Sequence, residues 1–304
     1  MSHSRLIVAL APGADWEDRL DAALAPFDEN RSVEPYREYV TGEPGEQWFY
    51  SKEEDGESPT WAQVVGVYNA KYGDDGLMDL DEEGRAFTMS TYNPQSKWDW
   101  WSVGGRWHRS FIALPQHDGD PLLINGARSL VMEPQEDAPL TCDGGPRRML
   151  DLETQRARAV GEASVRWHEF RKHMQQHPGT KPWSWHRAEV EAERMTIDEA
   201  RERYHGQPGV KALMDLPREL AYRDDPFAEF AVALDVYLAD GRAGAVPGWA
   251  LLTVEGVWME RGSMGWFGMS DATDASTDTY RNAANAYIDA LDGDALLISV
   301  DVHI

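Results

Sequence analysis

The chain has 304 residues, 42% of them apolar, with fifty-three acidic and twenty-nine basic side chains and a formal charge of −24. That length suits one large domain or two modest ones with a real core, and the charge argues against a general nucleic-acid binder, which needs a basic footprint. A single cysteine, Cys142, excludes an internal disulfide framework and any multi-cysteine zinc site.

Leu6 to Leu10 reads as a short apolar strand ended by Pro12-Gly13, and the apolar stretch is too short for a secretory h-region. No apolar run approaches the ~18 residues of a membrane span, so the expectation is a soluble, cytoplasmic protein with no membrane partner. Asp15 to Ala25 suits a helix carrying Trp16, Leu20 and Leu24 on one side, and Ser32 to Val40 extends again. Asp151 to His177 has no proline and a three-to-four apolar spacing through Leu152, Ala159, Ala163, Trp167 and Phe170, so it predicts a long helix. Pro178-Gly179 stops it. A second helix is predicted from about Arg187 to Met195. Thr196-Ile197-Asp198-Glu199 is a capping-box pattern that starts a third.

Beyond these, Trp249 to Val254 and Val257 to Glu260 read as two strands joined at Glu255-Gly256. Thr277 to Leu291 reads as a helix, and Leu296 to Ile304 as a strand with clean alternation. Charge divides the chain in the same way. Residues 1–150 carry thirteen basic and twenty-seven acidic side chains, 151–224 thirteen of each, and 225–304 three and thirteen. The expectation is therefore α+β: an N-terminal α+β half (1–150), a charge-balanced helical insertion (151–224) and a C-terminal α+β half (225–304). The flanks are read as a ferredoxin-like α/β sandwich, either one or two such halves sharing one sheet, and no internal repeat decides between them.

The densest chemical signal is Trp98-Asp99-Trp100-Trp101-Ser102-Val103-Gly104-Gly105-Arg106-Trp107-His108, with four tryptophans in ten residues. Indoles offer flat stacking surfaces with a donor at one edge, and Arg106 or Arg109 offers a bidentate contact to a carboxylate or phosphate. Trp98, Asp99, Trp100, Trp101, Arg106 and Trp107, with Trp266 from the loop Gly262–Gly268, are the candidate ligand-binding residues. The opposing reading is a sharply turned structural motif whose indoles pack inside.

The stretch Tyr92-Asn93-Pro94-Gln95-Ser96-Lys97-Trp98-Asp99-Trp100-Trp101 through Gly104-Gly105-Arg106-Trp107 resembles the signature of a group of uncharacterised phage and prophage proteins. Leu24 to Asn30, Val33 to Tyr36, Gly262 to Gly268 and Val300 to Ile304 fit the same resemblance, which skips the helical middle. It implies a phage-infected or lysogenic bacterial host and carries no activity with it.

Other constellations are weaker. Glu169, His173 and His177 share a helix face, but His168 and His173 are one residue too far apart for the zinc-protease spacing, and no metal site is expected. Asp79, Asp81, Glu82 and Glu83 lack the order of a calcium loop; Asp28, Glu29 and Glu34 read as solvated acids. Cys142 before Asp143-Gly144-Gly145 has no placed partner for nucleophilic chemistry. Asp301 and His303 share a strand face about 7 Å apart, so His303 and His108 are candidate acid–base groups with Asp301 as an orienting carboxylate. Three functions follow. The favoured one is an accessory protein that binds a small molecule or host protein through the Trp/Arg cluster. The others are a hydrolase-like enzyme with His and Asp in the same groove, and an acidic inhibitor of a basic host protein. No cofactor is named by any motif.

Overall fold

The structure is a computed structural model, and it describes residues 3–47, 59–74, 76–126, 139–214, 226–264 and 269–303. It is mixed α+β with several sheets. In chain order the elements are β1 (His3–Leu10), α1 (Trp16–Leu24), β2 (Tyr36–Tyr39), α2 (Trp61–Tyr72), β3 (Met78–Leu80), β4 (Ala86–Ser90), β5 (Trp100–Val103), β6 (Phe111–Ile112), β7 (Thr141–Cys142) and β8 (Gly144–Pro146). Then come α3 (Leu152–Gln176), α4 (Trp183–Glu191), α5 (Ile197–Gly206), α6 (Pro208–Met214), α7 (Pro226–Glu229), α8 (Leu234–Gly244), β9 (Ala250–Leu252), β10 (Trp258–Glu260), α9 (Asp274–Ala290) and β11 (Leu296–His303). Two compact units result, one of residues 1–16 with 101–304 and one of residues 17–100.

In the larger unit, the main sheet runs β10-β9-β1-β11-β5, and β8 also pairs with β11. β1 is antiparallel to β11 along its whole length, from His3 opposite His303 to Leu10 opposite Leu296, and parallel to β9. β9, the first strand of its hairpin, lies beside β1, and β10 takes the outer position. This topology does not confirm a duplicated ferredoxin-like half. Alternation sends Ile7 and Ala9 of β1, Leu251 of β9 and Leu297 of β11 to one face. There they meet Tyr280, Ala284 and Ile288, spaced by four along α9. Phe111, Cys142, Leu150 and Leu152 complete that core. The opposite face of β11 is covered too: Ile298, Val300 and Val302 are all buried.

Among the described residues, helices follow one another from α3 to α6 with no strand between them. α3 begins at Asp151, whose carboxylate accepts from the Thr154 N–H, and it packs its Ala163 and Phe170 against Leu213, Phe230 and Tyr237. Phe170 stacks on Phe230 with centroids 4.5 Å apart. The capping box at Thr196 and Glu199 is formed as the spacing predicts. α4 starts four residues before the expected Arg187 because Pro182 is its N-cap, and it ends before Glu193, whose φ of 55° breaks the helix. α9 likewise starts early, since Thr273 and Ser276 form its capping box.

In the smaller unit, β2-β4-β3 form an antiparallel sheet. Val64 of α2 packs with Met78 and Ala86 beneath Trp61, Tyr68 and Leu80. Pro35 precedes β2, which is why the extended stretch expected from Ser32 starts only at Tyr36.

Candidate functional site

The tryptophan-rich motif does two separate structural jobs. In the smaller unit, Asn93 is buried and its amide donates to the carbonyls of Pro26 and Asp28, at 2.8 and 2.9 Å. Trp98 is buried, and its indole N–H donates to the Leu24 carbonyl at 3.2 Å. The backbone of Trp98 bridges to Asp28 and accepts from the Glu29 N–H. Trp98 is thus a core anchor for the Leu24–Asn30 turn, and its ring offers no open stacking face. Trp100 is 52% exposed, and Asp99 is half-buried, with its carbonyl accepting from the Asn30 amide.

The second job lies in the larger unit. Gly104 and Gly105 both have positive φ, 72° and 51°, the region that favours glycine. A Cβ at Gly104 would fall 2.6 Å from Asp143 Oδ1, and one at Gly105 would overlap the Asp301 side chain. The turn is therefore seated against two carboxylates, each buried: Asp143 is 0% exposed and Asp301 2%. Arg106 donates its backbone N–H to Asp301 Oδ2 at 2.9 Å while its side chain is exposed. Trp101 and Trp107 are half-buried. Trp266 lies outside the described residues.

Each aspartate also holds a histidine. Asp301 Oδ1 is 2.9 Å from His3 Nδ1, and the His3 ring stands edge-on to His303 with centroids 5.1 Å apart. The spacing of Asp301 and His303 along one strand puts them on the same face, and His3 of the neighbouring strand joins them there. β11 runs between β1 and β5 in the sheet, and Asp301 on it is buried.

Asp143 is the more completely bonded. Its Oδ2 lies 2.9 Å from His108 Nδ1 and accepts the Gly126 N–H at 2.8 Å, while Oδ1 accepts the Arg109 N–H. A carboxylate with three such contacts is an acceptor, so His108 donates to it from Nδ1 and turns Nε2 away from it. That Nε2 is buried and has no hydrogen-bond partner among the described residues. The imidazole, 18% exposed, lines a pocket of about 430 Å³ together with Arg109, Asp118, Asp120, Asn125 and Thr141. Arg109 holds a strained φ of 58° at the mouth of this turn.

Cys142 adjoins this site in sequence but is fully buried, and desolvation pushes its thiol up to about 12, so it supplies no thiolate. Among the described residues no three His, Cys, Asp or Glu gather as a metal site. His173 donates from Nε2 to the Gly209 carbonyl, 2.8 Å away, and His168 donates from Nδ1 to the Ser164 carbonyl. No described helix is long and apolar enough to cross a membrane.

The sequence pointed to His108, Asp301 and His303, and missed His3 and Asp143. His3 is 298 residues from its partner. Asp143 carried a signal of its own, an acid between a buried strand residue and Gly144-Gly145, where a carboxylate is flanked by backbone free to approach it. No protein-family model matches the chain, and neither a curated protein nor a solved structure does.

Proposed function

We propose that the chain is an enzyme acting on a small polar molecule held in the His108 pocket, by hydrolase-like acid–base chemistry. His108 is the general base: Nε2 takes a proton from a water or substrate hydroxyl as that oxygen attacks, and returns it to the leaving group. Asp143 fixes the Nδ1–H tautomer and stabilises the imidazolium that forms. One observation carries this reading, the unpartnered Nε2 of a histidine that lines the pocket. An orphaned acceptor costs about 1–3 kcal/mol, and a donating hydroxyl bound beside it removes that cost. Arg109, Asn125 and Thr141 supply donors for orienting polar substituents. From the resemblance of residues 92–107 we infer a phage or prophage setting.

The test is hydrolysis of a panel of small chromogenic esters, amides and phosphate esters, such as para-nitrophenyl acetate. His108→Gln is expected to fold normally by circular dichroism and to lower turnover by about 10²–10⁴-fold. Turnover equal in the variant and the parent, or absent from both across the panel, sinks the assignment.

A second reading is binding of a protein partner through Trp100, favoured by an indole that is more than half exposed. Trp100→Ala would then remove the partner from a pull-down and leave para-nitrophenyl ester turnover intact.

A further inference from the structure

Arg5 of β1 shares a sheet face with Ile7 and Ala9, which belong to the core beneath α9. Its guanidinium carbon lies 5.4 Å from the Phe111 ring centroid, and its Nε–H donates to Ser299 Oγ at 3.4 Å. Its Nη2 is buried with no hydrogen-bond partner among the described residues. Asp301 stands directly opposite in the strand register and is the natural counter-charge. Both of its oxygens are committed elsewhere, Oδ1 to His3 and Oδ2 to the Arg106 N–H. In a chain with fifty-three acidic side chains, no described carboxylate forms an ion pair with Arg5. The consequence is visible in its acidity: desolvation lowers the guanidinium to about 10, opposed by the Tyr280 phenol.

Two further residues that interact with Arg5 carry buried polar atoms without partners among the described residues. Tyr280 of α9 is 4% exposed and its hydroxyl is unpartnered among the described residues. Trp249 donates its backbone N–H to the Arg5 carbonyl at 2.7 Å, so it sits alongside, and its indole N–H is also unpartnered. The guanidinium of Arg261 lies over the Trp249 ring, 3.9 Å from the centroid, and adds positive potential. Orphaned donors of this kind each cost about 1–3 kcal/mol. A guanidinium fork, a phenol and an indole N–H are together the complement of one thing, a small group of acceptors bearing negative charge.

We propose that Arg5, Tyr280 and Trp249 form a binding site for a small oxyanion, the carboxylate or phosphate group of a metabolite. None of the three lines the His108 pocket, so this site stands or falls independently of the proposed chemistry. The guanidinium fork takes two oxygens of the anion, and the phenol and indole donate to the remaining lone pairs.

The experiment uses the full chain with inorganic phosphate and with acetate, each compared with chloride at equal ionic strength. Calorimetric titration and the melting temperature are the readouts. Saturable binding of phosphate or acetate, with a rise in melting temperature that chloride does not give, is expected for the parent. A preference for phosphate assigns a phosphorylated ligand and a preference for acetate a carboxylate. Tyr280→Phe is expected to weaken binding by about three- to tenfold. Arg5→Met is expected to abolish binding while folding at least as well as the parent without anion, because it removes an uncompensated charge. If Arg5→Met does not fold, Tyr280→Phe decides alone. The proposal is overturned if neither anion binds beyond chloride, or if Tyr280→Phe binds as tightly as the parent.

Discussion

The Gly104-Gly105 turn touches two buried aspartates, and the two make different use of the histidine each one holds. Asp301 pairs with His3, whose ring packs edge-on against His303. Asp143 pairs with His108, whose far nitrogen is left without a partner beside a pocket. The two pairs match in length, 2.9 Å each, and nearly in burial of the carboxylate. A His–Asp hydrogen bond is therefore no mark of chemistry by itself; what distinguishes the pairs is where the second imidazole nitrogen ends up. The first reading for the His3–Asp301 pair is cohesion between the two ends of the chain, and for His108–Asp143 a base held in one tautomer.

The harshest way to break this comparison is to remove the turn that both pairs share. At Gly104→Ala the new Cβ meets a fixed, fully buried carboxylate, and at Gly105→Ala it meets the Asp301 side chain, each in a backbone conformation that strains any L side chain. Neither neighbour is the free end of a flexible chain. Each variant is expected to lose about 3–5 kcal/mol of stability in urea unfolding. A loss under ~1 kcal/mol in both would mean the turn yields easily and does not clamp the aspartates.

The next test separates the pairs. Asp143→Asn puts an amide where three donors converge, so at least one N–H faces another donor; a loss of about 2–4 kcal/mol is expected. Turnover is expected to fall with it, because the His108 tautomer is no longer fixed. Asp301→Asn disturbs two donors and is expected to cost less stability and to spare turnover at His108. Equal turnover losses in the two variants, measured on whichever ester the parent hydrolyses, would erase the distinction between a cohesive pair and a working one.

The elements that set up this geometry were largely readable in advance, and the pairings were not. The long helix of Leu152–Gln176, the capping box at Thr196 and the strands at both ends follow from local periodicity and capping chemistry. Helix starts shifted where a single residue overrode periodicity, as Pro182 did for α4. The tryptophan motif was legible as dense and sharply turned, but not as divided in function, because Trp98 is fixed by the Leu24 carbonyl and Gly104 by Asp143. Both partners are remote in sequence, and composition gives no register between remote segments. The segments quoted for the resemblance, Leu24–Asn30 and Val300–Ile304, include residues that the two parts of the motif touch, Asp28 and Asp301.

The mildest test sharpens the comparison with a histidine buried more deeply than His3 or His108. His186 packs beside Trp183 and Tyr204, with centroids 6.4 and 5.8 Å away, and its Nδ1 is buried without a partner among the described residues. Desolvation lowers its pKa, and the nearby Arg203 cation lowers it further. The folded state therefore binds the proton less readily than the unfolded state does. It follows that the stability His186 contributes is present above its ordinary value near 6.5 and is lost as pH falls through the depressed folded value. Urea unfolding followed from pH 7 downward is expected to show stability falling with pH, and His186→Gln is expected to flatten that slope. If the slope survives the substitution unchanged, it originates elsewhere.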